Sequence, residues 1–283
     1  MNRIGIVGQG FVGTAVREGL RDHFVISTYD KNKQEDFAVE SLRELALNSD
    51  VIFVCLPTPM RKSGECDIRI VVSVIKNINN MIEGQGKKKI TVIKSTVPPG
   101  TTSGLNNLCK NLDIVFNPEF LTEANSVNDY KNQNRIILGG SKAATSSLKI
   151  LFRSVFSEAS IVLTEPGIAE MVKYFTNCFL ATKVSFSNEM KQICDTSEID
   201  YDKVVEYALY DSRLGKSHWS VPGPDGDFGF GGHCFPKDLC AMIDIAKKAG
   251  VSPLMLNAAR NKNNEVRKSR DWETMLGRAI SED

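Results

Sequence analysis

The stretch Arg3-Ile4-Gly5-Ile6-Val7-Gly8-Gln9-Gly10-Phe11-Val12-Gly13 lies near the start of the chain and places a glycine-rich turn directly after a short apolar run. The apolar run, residues 3–7, predicts a buried strand, and the residues after the turn, about 11–22, show helical spacing. In such a strand–turn–helix unit the first glycine permits the tight turn, the second lets the backbone approach a pyrophosphate, and the third allows close packing. The helix N-terminus also offers free N–H groups to phosphates. The stretch therefore predicts a dinucleotide site at Gly8, Gly10, Phe11, Val12 and Gly13.

Asp30 supplies a second sign of a dinucleotide site. It ends the β-rich run 24–29 and follows Gly13 by 17 residues. A carboxylate at that point accepts hydrogen bonds from the adenosine ribose and repels a 2′-phosphate. The sequence therefore favours NAD over NADP as the cofactor, although Lys31 and Lys33 weaken the preference.

The first half of the chain alternates strand-like and helix-like segments. Besides the segments above, strands are predicted at 50–56, 89–95, 113–116, 135–139 and 160–163. Helices are predicted at about 40–48, 68–82, 101–110 and 142–156. This alternation predicts an α/β domain with a doubly wound, mostly parallel sheet that helices cover on both faces.

The pattern becomes helical after Pro166. Helices are predicted at about 170–195, 200–210, 236–249 and 253–268, and the first is by far the longest. A glycine-dense loop, residues 211–235, interrupts this helical region, and a loop of that length is typical of a functional segment. We therefore predict two domains, a dinucleotide-binding domain at 1–165 and an all-α domain at 166–283.

Composition excludes several classes of protein. The 283 residues suffice for two domains, and the 42% of hydrophobic residues exclude a disordered chain. Lys+Arg 35 against Asp+Glu 34 leaves a formal charge of +1, which argues against nucleic-acid binding. No apolar run is long enough for a membrane span, no signal peptide is present, the seven cysteines include no CxxC, and the three histidines are scattered. We therefore expect a reduced, cytoplasmic protein without a metal site.

Three proline-containing loops follow predicted strands, at 56–59, 94–101 and 117–123. Ligands of parallel sheets bind at the carboxyl ends of the strands, where these loops would lie. Glu119 and Glu123 would share a helix face if a helix began in the third loop, and paired carboxylates can act as general base and positioning group. Ordinary strand-ending turns and solvated surface charges are the alternatives.

Glu170, Lys173 and Asn177 are three and four residues apart and lie on one face of the predicted long helix. Lys173 and Asn177 are two hydrogen-bond donors that could hold a developing oxyanion. The alternative is an ordinary surface ion pair between Glu170 and Lys173.

The segment Gly229-Phe230-Gly231-Gly232-His233-Cys234-Phe235-Pro236-Lys237-Asp238 combines flexible glycines with a cysteine. Pro236 predicts the first residue of a helix, so Cys234 would lie just before that helix. The helix dipole and Lys237 would both favour the thiolate, and Asp238 could accept a hydrogen bond or order a water molecule. Cys240, inside the same helix among apolar neighbours, is expected to be part of the core.

An NAD site and an activated cysteine together indicate a definite chemistry. Loss of hydride from an alcohol yields an aldehyde, to which the thiolate of Cys234 adds. A second loss of hydride leaves a thioester, which water hydrolyses to an acid.

Six motifs follow one another along residues 1 to about 265: GQGFVG, LPTP, KSTVPPGTT, NPEFLTE, EMVKYFTNCFLATKVSFSNE and GFGGHCFPKD. In this order they resemble the motifs of the UDP-glucose/GDP-mannose dehydrogenase family. The resemblance implies a Rossmann-like NAD domain and a central helical domain that forms a homodimer through the long helix. It also implies oxidation of a nucleotide sugar to its uronic acid with two NAD.

The resemblance also implies roles for single residues. Cys234 would be the nucleophile, and Lys173 and Asn177 would stabilise oxyanions, with Lys173 also a candidate base. Asp238 would assist Lys173 or a water molecule, and Glu119 and Thr96 would handle the water that hydrolyses the thioester. Contacts with the cofactor are implied for Thr58, Thr96, Glu123 and Lys237. Contacts with the substrate are implied for Glu119, Phe120, Leu121, Glu123, Lys173, Asn177, Arg213 and Gly231. Arg213 would reach the sugar of the neighbouring subunit.

The chain departs from the family pattern at several places. His233 stands where Ser is frequent, and Ala124-Asn125 replaces a common Gly. Residues 270–280 predict at most one short amphipathic helix, and no strand pattern of the family's C-terminal nucleotide-binding domain follows.

Several functions are compatible with these patterns. UDP-glucose is the favoured substrate, to be oxidised to UDP-glucuronate, and GDP-mannose is the alternative. A two-electron dehydrogenase of the hydroxyacid type would not need Cys234. A non-catalytic NAD-binding or assembly subunit would rely on a partner for the missing domain.

Overall fold

A computed structural model describes residues 1–32 and 37–282, so Lys33 lies outside the described residues. The chain divides into two compact units. Unit 1 comprises Met1–Thr58 and Ile68–Lys173, and unit 2 comprises Pro59–Asp67 and Tyr174–Asp283.

Unit 1 contains a seven-stranded sheet. Its strands are β1 (Arg3–Val7), β2 (Val25–Tyr29), β3 (Val51–Val54), β4 (Lys89–Ile93), β5 (Leu112–Phe116), β6 (Arg135–Gly139) and β7 (Ser160–Thr164), in the order β2-β1-β3-β4-β5-β6-β7. Neighbouring strands are parallel except β5 and β6, which pair antiparallel at Phe116 and Gly139. Because β2 and β3 lie on opposite sides of β1, the strand order reverses at β1, where such folds bind ligands.

Helices cover both faces of this sheet. They are α1 (Phe11–Leu20), α2 (Leu42–Asn48), α3 (Arg69–Met81), α4 (Thr101–Leu108), α5 (Ser126–Lys131) and α6 (Lys142–Arg153). Strand β3 illustrates the two cores: Phe53 packs into the cluster on one face, and Ile52 into the cluster on the other. Successive side chains of a strand point to opposite faces, so a doubly covered sheet needs continuous apolar strands. The predicted α/β fold is therefore confirmed, although the short helix α5 was not predicted.

Helix α7 (Pro166–Thr196) is the longest of the described helices, with 31 residues, or about 46 Å at 1.5 Å per residue. It begins at Pro166, four residues before the predicted start, because proline is well suited to the first turn of a helix. The boundary between units 1 and 2 falls inside this helix, between Lys173 and Tyr174. The predicted domain boundary, after residue 165, coincides with the start of the helix.

Unit 2 is helical, as predicted. Besides its part of α7 it contains α8 (Tyr201–Ala208), α9 (Phe235–Lys248) and α10 (Leu254–Val266), with a core that includes Cys178, Phe230, Leu239 and Ile243. The C-terminal segment differs from the expected amphipathic helix. After a short 3-10 turn at Asp271–Thr274, the chain runs alongside Met60, whose N–H donates to the Ala279 carbonyl over 2.7 Å.

Among the described helices none has both the length and the apolar character that a membrane span requires.

Glu170 has a structural role that its sequence position did not reveal. Its carboxylate is completely buried and accepts hydrogen bonds from the backbone N–H groups of Gly100 (2.6 Å) and Thr102 (2.8 Å) at the N-terminus of α4. Gly100, the N-cap of α4, has no side chain to cap the helix, so a carboxylate from α7 satisfies these donors. The predicted alternative of a surface ion pair between Glu170 and Lys173 is therefore wrong.

Replacing Glu170 with Ala should lower the free energy of unfolding by about 2 kcal/mol, because the buried Thr102 N–H and the part-buried Gly100 N–H lose their acceptor. Urea unfolding followed by circular dichroism measures the change. Glu165→Ala, at an exposed position directly before α7, is the control and should change the free energy by less than about 0.5 kcal/mol. Equal stabilities of the two variants would contradict the capping role.

Candidate functional site

The glycine loop between β1 and α1 has the geometry that a pyrophosphate requires. Gly8 has a φ of +91°, and a Cβ on Gly13 would lie 1.9 Å from the Gly8 carbonyl oxygen, so both positions exclude other residues. A Cβ on Gly10, by contrast, would meet no atom within 4 Å. Gly10 is the N-cap of α1, so its open side lies beside the free N–H groups of the helix. The loop therefore fits a bound dinucleotide phosphate.

Asp30 lies beside this loop. Its Oδ2 accepts a hydrogen bond from the Gln9 N–H over 2.7 Å, and its Oδ1 accepts one from the Asn32 N–H over 2.9 Å. These bonds hold the carboxylate at the end of β2, next to the turn. Each carboxylate oxygen has a further lone pair, so ribose hydroxyls can still donate to Asp30.

The loops after β3 and β4 bury polar side chains at the same edge of the sheet. Thr58 and Thr96, both predicted cofactor contacts, are buried. Ser95 Oγ accepts a hydrogen bond from the Leu56 N–H over 2.9 Å, which joins the two loops. The loops after β3 and β4 therefore lie at the carboxyl ends of neighbouring strands, as the sequence predicted.

Glu119 and Lys173 form a buried ion pair in unit 1. The Nζ of Lys173 lies 2.8 Å from Oε1 of Glu119 and donates a second hydrogen bond to the Glu119 carbonyl oxygen over 2.7 Å. Only 6% of Glu119 and 3% of Lys173 are exposed. Burial alone would raise the pKa of the Glu119 carboxyl, but Lys173, the Leu121 N–H and Lys94 hold that pKa below its ordinary value. Glu119 is therefore an ionised carboxylate in a dry environment.

The expected helix face shared by Glu119 and Glu123 is wrong. Residues 117–123 form no helix, α5 begins only at Ser126, and Glu123 is exposed while Glu119 is buried. Oε2 of Glu119 instead accepts a hydrogen bond from the Leu121 N–H over 2.8 Å. A side chain that bonds its own neighbouring backbone in this way competes with helix formation.

The Phe120 ring, a predicted substrate contact, lies close to two cations. The Arg135 guanidinium lies 3.9 Å from the ring centroid, and Lys173 Nζ lies 5.6 Å from it. Cations at the face of an aromatic ring are attracted by its quadrupole. The ring therefore has a fixed position beside the Glu119–Lys173 pair.

Cys234 lies directly before α9, as predicted, and occupies the N-cap position. In the first turn of that helix Asp238 is buried and accepts hydrogen bonds from Lys237 Nζ (2.5 Å) and from Asn177 Nδ2 (2.6 Å). Burial alone would lower the pKa of Lys237, but Asp238, Cys66 and Cys234 raise it above the ordinary value. Asp238 therefore keeps Lys237 positively charged at the start of α9. Asp238 thus orients Asn177 and holds Lys237 in place.

Asn263 and Arg267 of the α10 segment hold the glycine loop before Cys234, and sequence reasoning missed both. Asn263 Oδ1 accepts from the Phe230 N–H over 2.7 Å, and the Arg267 guanidinium lies 2.6 Å from Asp225. A Cβ on Gly231, a predicted substrate contact, would lie 2.2 Å from Nη2 of Arg267. Asn263 and Arg267 are four residues apart, which is one turn of a helix, and this spacing is the sequence signal that could have identified them.

Arg213, the predicted contact to the sugar of a neighbouring subunit, lies in the 3-10 turn Ser212–Leu214. Its guanidinium is exposed and forms an ion pair with Asp211 over 2.5 Å. The side chain is therefore accessible on the surface of unit 2.

Comparison with known proteins identifies the family. The NAD binding domain model of the UDP-glucose/GDP-mannose dehydrogenase family matches residues 26–159, and the central domain model matches residues 168–265. The UDP-glucose 6-dehydrogenase AglM of Haloferax volcanii is 30% identical over 302 residues, which cover 92% of this chain and 69% of the relative. The chain belongs to the UDP-glucose/GDP-mannose dehydrogenase family. The prediction of NAD as the cofactor is confirmed with it.

Two further relatives define the extent of the likeness. The UDP-glucose 6-dehydrogenase TuaD of Bacillus subtilis is 35% identical over 226 residues, which cover 77% of this chain and 47% of the relative. The structure of a UDP-glucose dehydrogenase from Pyrobaculum islandicum superposes with a TM-score of 0.85 at 28% identity, covering 94% of this chain and 68% of that one. The chain spans about half the length of the first curated relatives that it matches.

Gly10 and Gly13 provide a matched test of the NAD site. Gly10→Ala should leave the free energy of unfolding within about 1 kcal/mol of the wild type, because its Cβ meets no atom, yet weaken NAD binding at least about tenfold. Gly13→Ala should lower the free energy of unfolding by about 3 kcal/mol, because its Cβ strikes the Gly8 carbonyl. Calorimetric titration with NAD and urea unfolding measure the two effects. Wild-type NAD affinity in Gly10→Ala would contradict the proposed position of the pyrophosphate.

Proposed function

We propose that the chain is an NAD-dependent dehydrogenase that oxidises a nucleotide sugar to its uronic acid, with UDP-glucose as the substrate. Relatives whose printed names are UDP-glucose 6-dehydrogenase support the substrate class. The observation that carries the proposal is the Asn177–Asp238–Lys237 cluster at the start of the helix that Cys234 caps. A structural cysteine would have no need of a buried cation and an oriented amide.

The oxidation calls for groups that stabilise negative charge on oxygen. Lys173 and Asn177 are one turn apart on α7, and residues at this spacing are neighbours on a helix surface. Both are donors held by carboxylates, Lys173 by Glu119 and Asn177 by Asp238. Donors fixed before the reaction stabilise a developing oxyanion without reorganising. Because Lys173 is paired with Glu119, it suits the role of a charged donor.

The remaining steps use Cys234 and Glu119. Bound NAD supplies the capacity to accept hydride, and two equivalents account for the four electrons of the overall oxidation. The Cys234 thiolate forms a C–S bond with the aldehyde carbon, and Lys173 and Asn177 hold the oxygen that takes the charge. Water later breaks the C–S bond of the thioester, which releases the acid and restores the thiol. Glu119, with Thr96, orients that water molecule.

The stoichiometry of NADH and the Cys234→Ala variant test this function. The wild-type chain should form two NADH per UDP-glucose, whereas Cys234→Ala should form no uronic acid because the covalent step is lost. Cys240→Ala, six residues along the same segment, is the matched control and should keep the wild-type stoichiometry. GDP-mannose is assayed in parallel to decide between the two sugars.

Each other outcome supports a different function. Unchanged turnover in Cys234→Ala would contradict the thioester mechanism and favour a two-electron dehydrogenase of the hydroxyacid type. No NADH with either sugar, despite measurable NAD binding, would favour a non-catalytic subunit that needs a partner.

We also propose that two copies of the chain associate through α7. Large apolar side chains form an exposed stripe along this helix: Ile168, Met171, Phe175, Phe179, Phe186 and Ile193. Phe175 is 70% exposed and Phe179 is 59% exposed. Their spacing of three, four and seven residues places them on one face of the helix. A continuous apolar stripe on a surface is typical of an interface between proteins.

The double substitution Phe175→Glu with Phe179→Glu should raise the dimer dissociation constant at least about 100-fold, because it places charge in the centre of the stripe. Sedimentation velocity over a range of concentrations measures the association. Leu108→Glu, at a position 64% exposed on α4, is the control and should leave the dissociation constant unchanged. A wild-type chain that stays monomeric at every concentration, or a double variant that dimerises normally, would refute the proposed interface.

A further inference from the structure

Lys94 is a buried lysine that takes no direct part in the proposed reaction. It follows the last residue of β4, only 2% of it is exposed, and its Nζ donates a hydrogen bond to Asn117 Oδ1 over 2.9 Å. Asn117 in turn donates from Nδ2 to the Ile137 carbonyl of β6 over 2.8 Å. Lys94 and Asn117 thus join the end of β4 to the segment after β5 that leads to Glu119.

The charges around Lys94 are unusual for a protein core. Two lysines, Lys173 and Lys94, both lower the pKa of a single carboxyl, that of Glu119. Lys173 already forms the close ion pair with it. The hydrogen-bond acceptor of Lys94 is a neutral amide, and the ring of Tyr130 lies 5.7 Å from its Nζ. Burying an ammonium group beside a neutral amide is costly compared with an apolar side chain of the same length. Hydrogen bonding alone therefore does not account for a lysine at this position.

We propose that Lys94 is a positioning residue for Glu119. It fixes Asn117, two residues before Glu119, and it supplies a second positive charge that keeps the Glu119 carboxylate ionised within the core of unit 1. The inference rests on the proposed function insofar as Glu119 is the group that orients the hydrolytic water.

The titration of the surrounding groups makes this arrangement sensitive to pH. Burial lowers the pKa of Lys94 to about 8, against the opposing effects of Cys55 and Glu119, and Lys173 lowers it further. Burial raises the pKa of Cys55 to about 12 and that of Tyr130 above its ordinary value, so both stay neutral near pH 8. As the pH rises through about 8, Lys94 loses its proton and its effect on Glu119 disappears. Glu119 then binds a proton more readily.

Carbon-13 NMR of the glutamate side-chain carboxyls tests the proposal directly. The resonance of Glu119 is the one absent from Glu119→Gln. In the wild type it should titrate below the ordinary glutamate range. In Lys94→Gln, which can still donate to Asn117 but carries no charge, the midpoint should rise by about one pH unit. In Lys94→Arg, which keeps the charge, the midpoint should stay low.

Lys89→Gln is the matched control. Lys89 is a partly buried lysine at the other end of β4, and its Nζ bonds the carbonyls of Ala46, Leu47 and Ser49 at the end of α2. It lies five positions before Lys94, a distance of about 16 Å along an extended strand. The midpoint of Glu119 should be unchanged in this variant.

Unchanged titration of Glu119 in a folded Lys94→Gln variant would overturn the proposal. If that variant does not fold, the titration of the wild type tests the proposal. Its Glu119 resonance should show a second, smaller inflection near pH 8 as Lys94 deprotonates. Its absence would equally overturn the proposal. Neither measurement uses substrate or NAD, so a failure of sugar oxidation and a failure of this inference are distinguishable.

Discussion

The buried ion pair between Glu119 and Lys173 is the interaction on which the arrangement of unit 1 depends most. It joins the loop after β5 to α7, and both partners are almost completely removed from water. Breaking such a pair from one side leaves an uncompensated charge in the core, at a cost of about 3–5 kcal/mol. The chain satisfies the pair with further hydrogen bonds, from the Leu121 N–H and to the Glu119 carbonyl. Neither residue can therefore change independently of the other.

The same principle recurs in unit 2. Asp238 is buried between Asn177 and Lys237, and Arg267 lies among Asp225, Asp227 and Asp271. In each case a buried charge is accepted only with its partners, so it fixes the geometry of the segment that carries it. The first cluster orients groups next to Cys234, and the second holds the glycine loop before it. Rigid support of this kind is what a reactive group needs in order to act at a defined position.

Sequence reasoning was most accurate where a pattern depends on local chemistry. The glycine turn after β1, the alternating elements of unit 1, the uninterrupted α7 and the position of Cys234 directly before a helix were all predicted correctly, although α9 begins at Phe235, one residue before Pro236. It failed where the partner is distant in sequence. Glu170 was considered a partner of Lys173 because the two are neighbours on a helix. Its carboxylate instead caps α4, about 70 residues earlier in the chain. Lys94 was quoted within a motif, yet nothing in the motif predicts that its Nζ is buried against Asn117.

The sequence by itself determined the fold class, the NAD-binding turn and the family. The fold class follows from the periodicity of apolar residues, the turn from glycines at positions whose geometry excludes other residues, and the family from motifs in a fixed order. Only the tertiary structure decided which charges are paired. It assigned Glu119 to Lys173, Asp238 to Asn177 and Lys237, and Glu170 to the N-terminus of α4. Whether a carboxylate faces water or a buried cation depends on elements that meet only in the folded chain. Burial and long-range pairing have no local signature in the order of residues.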